Sequence, residues 1–497
     1  MNQILLFEDL FKECVMRFPK VAQLKNVEGF VARLKELGLN IPCDSDILSR
    51  EQGSPLGSSA ELGKLTVGNR WCIHPMEGWD GTRDGMPSDL TIRRWVRFGE
   101  SGAKLIWGGE AAAIQHDGRA NPRQIMATSN HVEGLRTLRE ALTKQHQQSV
   151  GTTEDLVVGL QLTHSGRFSR PNTKTLEPRI AYHHPLLDRK FGIDPTNNEV
   201  VWKDAELEKL SLQYVEGAKA AEKAGFQFVD VKACHGYLLH EFLSAVIRPG
   251  NFGGDFEGRT RLLKMTIERI RESCPKLEVG VRLSFFDRPP YEMGVEVGEP
   301  MDFKSHLPYR FAFGADPSNP LEVCLDEPKR LLRELKELGV FAVNLSCGSP
   351  YYNPHIQRPA AFPPSDGYLP PEDPLVGVAR QMSMVSKMKR FVPEMPLVGS
   401  GYTYLQDFLP QVAQGAIREG WVDFVGLGRM VLSYPTLPAD SLAGKQIQRK
   451  KICRTFSDCT TAPRNAIVSG CYPLDEFYKA MPEAAELKAI KKENERD

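Results

Sequence analysis

The 497-residue sequence has no excess of charge of either sign, with 63 lysines and arginines against 63 aspartates and glutamates. A balanced chain lacks the broad electrostatic attraction that drives binding to nucleic acids or anionic membranes. It also has no uninterrupted apolar run long enough to cross a bilayer. Residues 1–18 mix acids and bases among their apolar residues, unlike the apolar core of a signal peptide. We therefore expect a soluble cytoplasmic protein that acts on a small molecule, without nucleic-acid or membrane partners.

Several motifs of other protein classes are missing as well. The 10 cysteines are mostly scattered, which does not indicate a disulfide framework. No Gly-x-Gly-x-x-Gly follows the first predicted strand, which disfavours a doubly wound nucleotide-binding sheet. No His-x-His pair occurs. The alternative of a metal-dependent hydrolase barrel using His74, His164 and His235 is disfavoured by that absence.

What the sequence does contain is a repeated alternation of short apolar runs and segments with helical spacing. Eight runs predict strands, at residues 71–76, 104–107, 156–162, 228–231, 278–283, 341–345, 397–399 and 423–426. Helices predicted between them include residues 207–224, 327–338 and 374–391. Eight alternating units of this kind predict the α/β class and a (β/α)8 TIM barrel.

We expect the chain to divide into three regions. Residues 1–62 carry helical spacing and end in a Gly-, Ser- and Pro-rich loop, which predicts an N-terminal helical extension. Residues 63–445 would form the barrel, and residues 446–497 a C-terminal extension with a charged tail. Residues 287–318 and 350–374 are rich in Pro, Gly, Tyr and Phe, and segments of this length are typical of lids or binding loops.

The most informative segment, residues 226–261, reads FQFVDVKACHGYLLHEFLSAVIRPGNFGGDFEGRTR. Its apolar start predicts a strand buried on both faces, so His235 and Tyr237 would follow the carboxyl end of that strand. Gly236 would permit a turn that aims both side chains inward. An imidazole can donate a hydrogen bond to a carbonyl or nitro oxygen, and a phenol can deliver a proton. The alternative is a structural role for both residues.

The same segment resembles the old yellow enzyme family of flavin-dependent oxidoreductases. The matching residues are His235-Gly236-Tyr237-Leu238-Leu239, Phe242-Leu243-Ser244, Arg248, Phe252-Gly253-Gly254 and Arg259-x-Arg261. The resemblance implies that Tyr237 protonates the substrate carbon and that His235 holds the activating oxygen. The first histidine of the family motif falls on Lys232, which is a hydrogen-bond donor only. The hydrogen bonding to that oxygen is therefore expected to be altered, or to involve a positively charged donor.

Further matches to the family, over roughly residues 63–435, imply bound FMN. The flavin-binding positions fall on Pro75, Met76, Glu77, Ala111, Gln161, Arg282, Ser400, Gly401, Gly428 and Arg429. Glu77 stands where the family usually has Thr or Cys, and a carboxylate there is expected to disfavour negative charge on the reduced ring. The amide of Gln161 suits the donor and acceptor edge of the flavin pyrimidine, with a core amide as the alternative. Arg282 would face the N1 and O2 edge, with an internal salt bridge as the alternative.

The glycine-rich loops after the last two strands are expected to hold the phosphate. The implied activity is hydride transfer from reduced flavin to an activated C=C bond or a similar acceptor, with NADH or NADPH as reductant. His164 and Tyr351 are candidate substrate contacts. The nearest alternative is a flavin-dependent dehydrogenase of amines or alcohols, and another is a flavin-binding protein without turnover. A homo-oligomer or a separate reductase partner stays open.

Three cysteines near the C-terminus invite a separate interpretation. Cys453, Cys459 and Cys471 lie near the place where relatives of the 2,4-dienoyl-CoA reductase type carry four cysteines for an iron–sulfur cluster. A cluster normally needs four thiolates, so we expect no metal here, with an iron–sulfur cluster as the alternative. The sequence ends at Asp497, before the nucleotide-binding domains of those relatives. The resemblance therefore implies a dienoyl-CoA reductase-like branch without these domains.

Overall fold

The computed structural model describes residues 18–494, so the first part of the predicted N-terminal extension lies outside the described residues. The strands, β1 to β13 in chain order, are Ala60–Leu62, Leu65–Val67, Trp71–Ile73, Leu105–Ile106, Ala111–Ala113, Val157–Thr163, Phe228–Ala233, Glu278–Ser284, Tyr291–Met293, Gly298–Pro300, Val343–Ser346, Leu397–Gly399 and Phe424–Leu427. The α-helices, α1 to α16 in chain order, are Val27–Glu36, Asp89–Gly99, Val132–Val150, Pro185–Phe191, Asp204–Ala224, Leu238–Phe242, Phe256–Ser273, Asp326–Glu337, Pro354–Gln357, Pro374–Phe391, Leu409–Arg418, Met430–Ser433, Leu437–Leu442, Asp458–Arg464, Glu476–Lys479 and Glu483–Asn494.

Nine of the strands form one sheet that closes on itself, and neighbouring strands in it run parallel. The order is β4-β3-β13-β12-β11-β8-β7-β6-β5, and β4 also pairs with β6. Because β4 and β5 both pair with β6, they are two pieces of one barrel position, interrupted at residues 107–110. The barrel therefore has eight strand positions, and the predicted (β/α)8 TIM barrel is confirmed.

Long helices cover the outside of the barrel and bury apolar residues against it. Helix α5 shows this most clearly, since it buries Leu207, Leu210 and Tyr214 on one face. It ends at Gly225, whose φ of 91° lies in the left-handed region that favours glycine at a helix terminus. The apolar core is thus continuous from the strands to the helix layer, which gives the carboxyl end of the barrel a rigid frame.

The N-terminal extension packs on this barrel. Phe30 of α1 stacks on Phe408, with ring centroids 4.5 Å apart, and Arg33 bonds to Asp373 at 2.7 Å. The antiparallel hairpin β1–β2 follows, and its buried residues pack against the amino ends of the barrel strands. That hairpin therefore covers the amino-terminal end of the barrel.

The C-terminal segment returns to the carboxyl end of the barrel. Ser469 Oγ accepts a hydrogen bond from the Trp79 N–H at 2.7 Å, and Asp475 forms two bonds with Arg93 at 2.9 and 3.0 Å. The two predicted loop regions also lie on this side, and they contain the hairpin β9–β10 and the short helix α9. Within residues 18–494 we find no helix with the length and apolar character needed to span a membrane.

Candidate functional site

A cavity of about 270 Å³ opens at the carboxyl end of the barrel strands. Its walls are formed by segments that follow β3, β7, β11, β12 and β13, by Arg282 on β8, by part of helix α2 and by part of residues 459–478. The predicted site residues in its lining are Pro75, Met76, Glu77, His235, Arg282, Ser400, Gly401, Gly428 and Arg429. Residues from distant parts of the sequence therefore meet in one cavity, because parallel strands end at the same side of the barrel.

Arg282 lies on β8 and is only 5% exposed. Its Nε has no hydrogen-bond partner among the described residues. The nearby carboxylate of Asp230 bonds instead to Gln161 Nε2, at 2.6 Å. Burial raises the pKa of Asp230 to about 6, and the charge of Arg282 opposes that shift. A buried guanidinium without a hydrogen-bonded counter-ion is costly, so this side chain fits a ligand that presents carbonyl or anionic groups.

Gln161 and Ala111 are buried in adjacent strands and pair in register. The amide of Gln161 is held by its bond to Asp230. The backbone N–H of Ala111 donates to Glu110 Oε1 at 3.2 Å, and its carbonyl accepts from Gln124 Nε2 at 2.6 Å. Neither residue is part of the cavity lining. Their predicted contact with a flavin stays a prediction.

The loops after β12 and β13 also line the cavity. Gly401 has a φ of 93°, and a Cβ at Gly428 would point into open space. Arg429 Nη1 and Arg358 Nη2 are buried without a hydrogen-bond partner in the part of the chain that the structure describes. Burial lowers the pKa of Arg358, and the charges of Arg429 and Arg464 lower it further. Unpaired donors on mutually repelling cations fit an anionic group such as a phosphate.

Arg358 is a candidate that the sequence analysis missed. It lies between α9 and Pro359 in one of the predicted loop regions, and its Nη1 bonds to Thr460 of the C-terminal segment. From the sequence it could not be distinguished from an ordinary loop arginine, because its nearness to Arg429 depends on the fold.

Tyr237 lies beside the cavity in a network of polar groups. Its buried Oη donates to Glu77 Oε2 at 2.7 Å and shares a hydrogen bond with Tyr351 Oη at 2.9 Å. The second oxygen of Glu77 accepts from Asn121 Nδ2 at 3.2 Å. Lys232 Nζ lies 3.6 Å from the centroid of the Tyr237 ring. Burial, and then the charge of Glu77, raise the pKa of Tyr237 well above its usual value, so the phenol keeps its proton.

His235 is held in a turn with backbone φ of 66°, followed by Gly236 at 80°. Its Nε2 lies 2.9 Å from Ser346 Oγ and 3.2 Å from Gln357 Nε2, and its backbone N–H donates to Ser284 Oγ. Burial, and then the charge of Arg282, lower the pKa of His235 well below its usual value, so the imidazole is neutral. A strained, buried and neutral imidazole in a cavity wall has a fixed orientation suited to hydrogen bonding.

The two candidate substrate contacts lie in different surroundings. Tyr351 stacks on Phe168 with ring centroids 4.0 Å apart and shares the hydrogen bond with Tyr237. His164 is not part of the cavity lining. Its Nδ1 accepts from Gly166 N–H at 3.1 Å, and its Nε2 lies 3.6 Å from Asp117. Tyr351 is not part of the lining either, but it is linked to the cavity wall through Tyr237 and Glu77, whereas His164 has no such link in these bonds. Substrate contact stays a prediction for both residues.

A second buried network, also missed by the sequence analysis, holds the segment that contains Met76. Arg94 bonds to Asp80 through two nitrogens, each at 2.9 Å, pairs with Glu110, and donates to the Met76 carbonyl at 2.7 Å. Glu110 also accepts from Gly78 N–H at 3.2 Å. One guanidinium thus ties two carboxylates to the backbone that lines the cavity.

The C-terminal cysteines lie near the cavity without forming a recognisable metal site. Cys459 and Cys471 line it, and Cys453 is buried. Burial raises the pKa of Cys453 to about 11 and that of Cys471 well above its usual value. Across residues 18–494, no group of three or more His, Cys, Asp or Glu side chains is arranged to hold a metal ion. The metal-dependent hydrolase alternative accordingly finds no ligand set in that part of the chain.

The unpaired guanidinium donors of this cavity fit the carbonyl and phosphate groups of FMN. The family model described as "NADH:flavin oxidoreductase / NADH oxidase family" matches residues 59–304. The chain is 25% identical over 400 residues to the NADH oxidase of Thermoanaerobacter brockii, covering 80% of this chain and 52% of that protein. It is 26% identical over 385 residues to the NADPH dehydrogenase of Geobacillus thermodenitrificans, covering 75% of this chain and 89% of that protein.

Solved structures share the fold. The chain is similar to morphinone reductase in complex with tetrahydroNAD, with a TM-score of 0.53, 20% identity, and coverage of 79% of this chain and 92% of that one. A 2-naphthoyl-CoA reductase complex gives a TM-score of 0.60 at 15% identity, covering 87% of this chain and 58% of that one. The chain therefore spans about half to nine-tenths of the relatives it matches.

Proposed function

We propose that this chain is a member of the NADH:flavin oxidoreductase / NADH oxidase family, whose model matches residues 59–304. In this proposal its barrel binds FMN and reduces an activated C=C bond or a similar small-molecule acceptor with NADH or NADPH. The observation that carries the proposal is the set of buried, unpaired guanidinium donors of Arg282, Arg358 and Arg429 around one cavity. These donors match a ligand with a polar ring edge and a phosphate. When bound, FMN supplies the hydride that reaches the acceptor.

Each predicted cofactor contact other than Glu77 has a role in holding the cofactor in this proposal. Arg282 would stabilise negative charge on the reduced ring. The backbone of Pro75, Met76 and Ala111 would line the ring, and Gln161 would bond to its pyrimidine. Ser400, Gly401, Gly428 and Arg429 hold the phosphate, together with Arg358. Buried donors that are already oriented need no rearrangement when the cofactor binds.

Three residues are proposed to act on the substrate. His235 donates a hydrogen bond to the activating oxygen, and its bonds to Ser346 and Gln357 fix the ring in place. Tyr237 protonates the carbon that does not receive the hydride. Lys232 adds a positive charge beside the Tyr237 ring, which favours acceptors that become anionic as the hydride arrives.

We also propose a division of the chain into an N-terminal extension (1–62), the FMN barrel (63–445) and a C-terminal segment (446–497). The support for a functional C-terminal segment is that it supplies Cys459, Cys471 and Tyr478 to the cavity lining. Its removal would open the cavity to water, which weakens every electrostatic contact inside.

The proposed function is tested by the visible spectrum of the purified protein and mass identification of the molecule released on denaturation. We expect FMN to be released, and the flavin absorbance to bleach with NADH or NADPH and return when an enone is added. A colourless protein that cannot be reconstituted with FMN would overturn the proposal. Bleaching without reoxidation by any enone, nitro or quinone acceptor would remove the catalytic part and leave the flavin-binding part.

Replacing Arg358 with methionine is expected to weaken FMN binding about 10- to 100-fold, the range for a lost charge-assisted hydrogen bond. Riboflavin, which has no phosphate, should bind this variant as well as it binds the wild type. Fluorescence titration of the FMN-free protein with each ligand measures both affinities. The matched control is Arg390→Met on the exposed surface of α10, which should change neither. Equal losses for the two ligands would show that Arg358 does not contact the phosphate.

A further inference from the structure

The hydrogen bond between Tyr237 and Glu77 restricts what the phenol can do. Tyr237 has one proton, and its Oη donates that proton to Glu77 Oε2 at 2.7 Å. The same Oη is 2.9 Å from Tyr351 Oη, so Tyr351 is left as the donor in that pair. While Glu77 is a carboxylate, the proton of Tyr237 is therefore committed to it. A substrate carbon can be protonated by Tyr237 only when a proton also arrives from Glu77.

Glu77 is well placed to deliver such a proton. It is half-buried and lines the cavity, and its Oε2 touches Tyr237, so the side chain lies between the cavity and the buried phenol. Asn121 Nδ2 holds its second oxygen at 3.2 Å, which keeps the carboxyl group oriented towards the phenol. The pair is thus a fixed contact between a solvent-accessible acid and a buried phenol.

Other charged and titratable groups around Tyr237 are not positioned at its oxygen. Lys232 Nζ lies over the ring face, 3.6 Å from its centroid. The guanidinium of Arg464 lies over the ring of Tyr351, 4.1 Å from that centroid. Among the described residues the groups that bond to Tyr237 Oη are the Glu77 carboxylate and the Tyr351 hydroxyl.

We propose that Glu77 is a proton-relay residue that reloads Tyr237 during each reduction. The inference rests on the proposed reduction of an activated C=C bond. Protonated Glu77 gives its proton to Tyr237 Oη as the O–H proton of Tyr237 forms one new C–H bond with the substrate. The hydride drawn from NADH or NADPH through the cofactor forms the other, so the two electrons of the hydride reduce the double bond. Glu77 is left as a carboxylate and regains a proton from water through the cavity.

The relay is tested by replacing Glu77 with glutamine, which keeps the size of the side chain and an oxygen that can accept the Tyr237 bond. An amide cannot donate the proton that a carboxyl group donates. We expect reoxidation of the reduced enzyme by cyclohexenone to slow about 100-fold, within the range for general acid catalysis. Reoxidation by ferricyanide and reduction by NADPH need no proton for a new C–H bond, so they report any effect of the Glu77 charge on the ring alone. The cyclohexenone step should therefore slow at least tenfold more than either of these two steps. Stopped-flow absorbance measures all three steps in one preparation.

Comparison variants distinguish a relay from a structural role. Tyr237→Phe should slow the cyclohexenone step at least as much as Glu77→Gln, and the double variant should be no slower than Tyr237→Phe alone, because the two groups act in series. Glu61→Gln, an acid-to-amide change on the exposed hairpin β1–β2, should leave every step unchanged. Equal slowing with cyclohexenone and ferricyanide, or a wild-type rate for Glu77→Gln with cyclohexenone, would overturn the relay.

A second readout needs no cofactor, so it also separates failure of the relay from failure of the proposed function. The charge of Glu77 helps to raise the pKa of Tyr237. Alkaline titration of tyrosinate absorbance in FMN-free protein should therefore show Tyr237 ionising at lower pH in Glu77→Gln, with Tyr237→Phe used to assign its signal. Unchanged ionisation of Tyr237 in Glu77→Gln would show that the two groups are not coupled, and the relay would be rejected whatever the enzyme reduces.

Discussion

Replacing Arg282 with methionine is expected to weaken FMN binding about 10- to 100-fold while leaving the FMN-free protein at least as stable as the wild type. The first effect follows from the loss of charge-assisted hydrogen bonds to the ring edge. The second follows from burial, because Arg282 is 5% exposed and its Nε lacks a partner among the described residues. Methionine of similar length removes the cost of burying that charge.

The measurement combines a fluorescence titration with FMN and thermal unfolding of the FMN-free protein. Arg259 offers a matched control, since it is also buried but is paired with Glu327 and with the Leu243 carbonyl. Arg259→Met should lower the stability of the FMN-free protein and leave FMN affinity unchanged. If Arg282→Met instead lost stability without losing FMN affinity, the guanidinium would serve the charge balance of the barrel and not the cofactor.

The barrel could be predicted from the sequence because its strands are buried on both faces and appear as apolar runs. The ends of the strands were harder to place. The first strand was expected at residues 71–76 but ends at Ile73, and Pro75 lacks the N–H needed to continue the ladder. The strand expected at residues 228–231 continues to Ala233, since Lys232 and Ala233 pair with β8. A charged residue at a strand end resembles a loop when only the sequence is known.

Helix α10 was predicted with its observed bounds because its start is marked in the sequence. Asp373 caps it by accepting a hydrogen bond from Leu375 N–H at 2.9 Å, and Pro374 occupies the first helical position, where no N–H is needed. Local signals of this kind act between near neighbours. They are the reason that some boundaries can be placed from the sequence when others cannot.

The residues of the candidate site also fall into two groups, those that local sequence signals could place and those that depend on long-range contacts. Residues that directly follow strands, such as His235 and Ser400, could be placed together because the carboxyl ends of parallel strands meet. The bond between Tyr237 and Glu77 joins residues 160 positions apart, and its existence depends on how two loops approach each other. Arg358 and the C-terminal wall of the cavity depend on long-range contacts in the same way. Neither a local pattern nor a spacing rule reports such contacts.

Replacing Arg94 with methionine is expected to destabilise the protein by about 3–5 kcal/mol, the range for breaking a buried ion pair. Asp80 and Glu110 are each 1–2% exposed and share this guanidinium, so its loss leaves two buried carboxyl groups without their counter-ion. Chemical denaturation monitored by tryptophan fluorescence measures the change. Arg97→Met on the same helix removes a half-buried contact of 3.7 Å to Asp475 and a 3.4 Å hydrogen bond to the Leu432 carbonyl, and should cost less than about 1 kcal/mol.

The pH dependence of stability tests the same network from the carboxyl side. Burial raises the pKa of Glu110 from 4.5 to about 8, with Arg94 opposing the shift. The native state therefore binds this proton more tightly than the unfolded state, so the contribution of Glu110 is present below about pH 4.5 and is lost as pH rises to about 8. Glu110→Gln should flatten the stability profile in this window. An unchanged slope would assign the pH dependence to other groups.

Arg94→Met should also weaken FMN binding, although Arg94 acts on the cofactor only through the backbone. Its N–H group holds the Met76 carbonyl at 2.7 Å, and that backbone lines the cavity between Pro75 and Glu77. Without the guanidinium, the segment that carries Glu77 loses its anchor, so the bond between Glu77 and Tyr237 should loosen too. In Arg94→Met at low temperature, where the fold persists, reoxidation by cyclohexenone should therefore slow more than reoxidation by ferricyanide. If Arg94→Met slowed reoxidation by both acceptors by the same factor relative to the wild type, Arg94 would support the fold without positioning the proton relay.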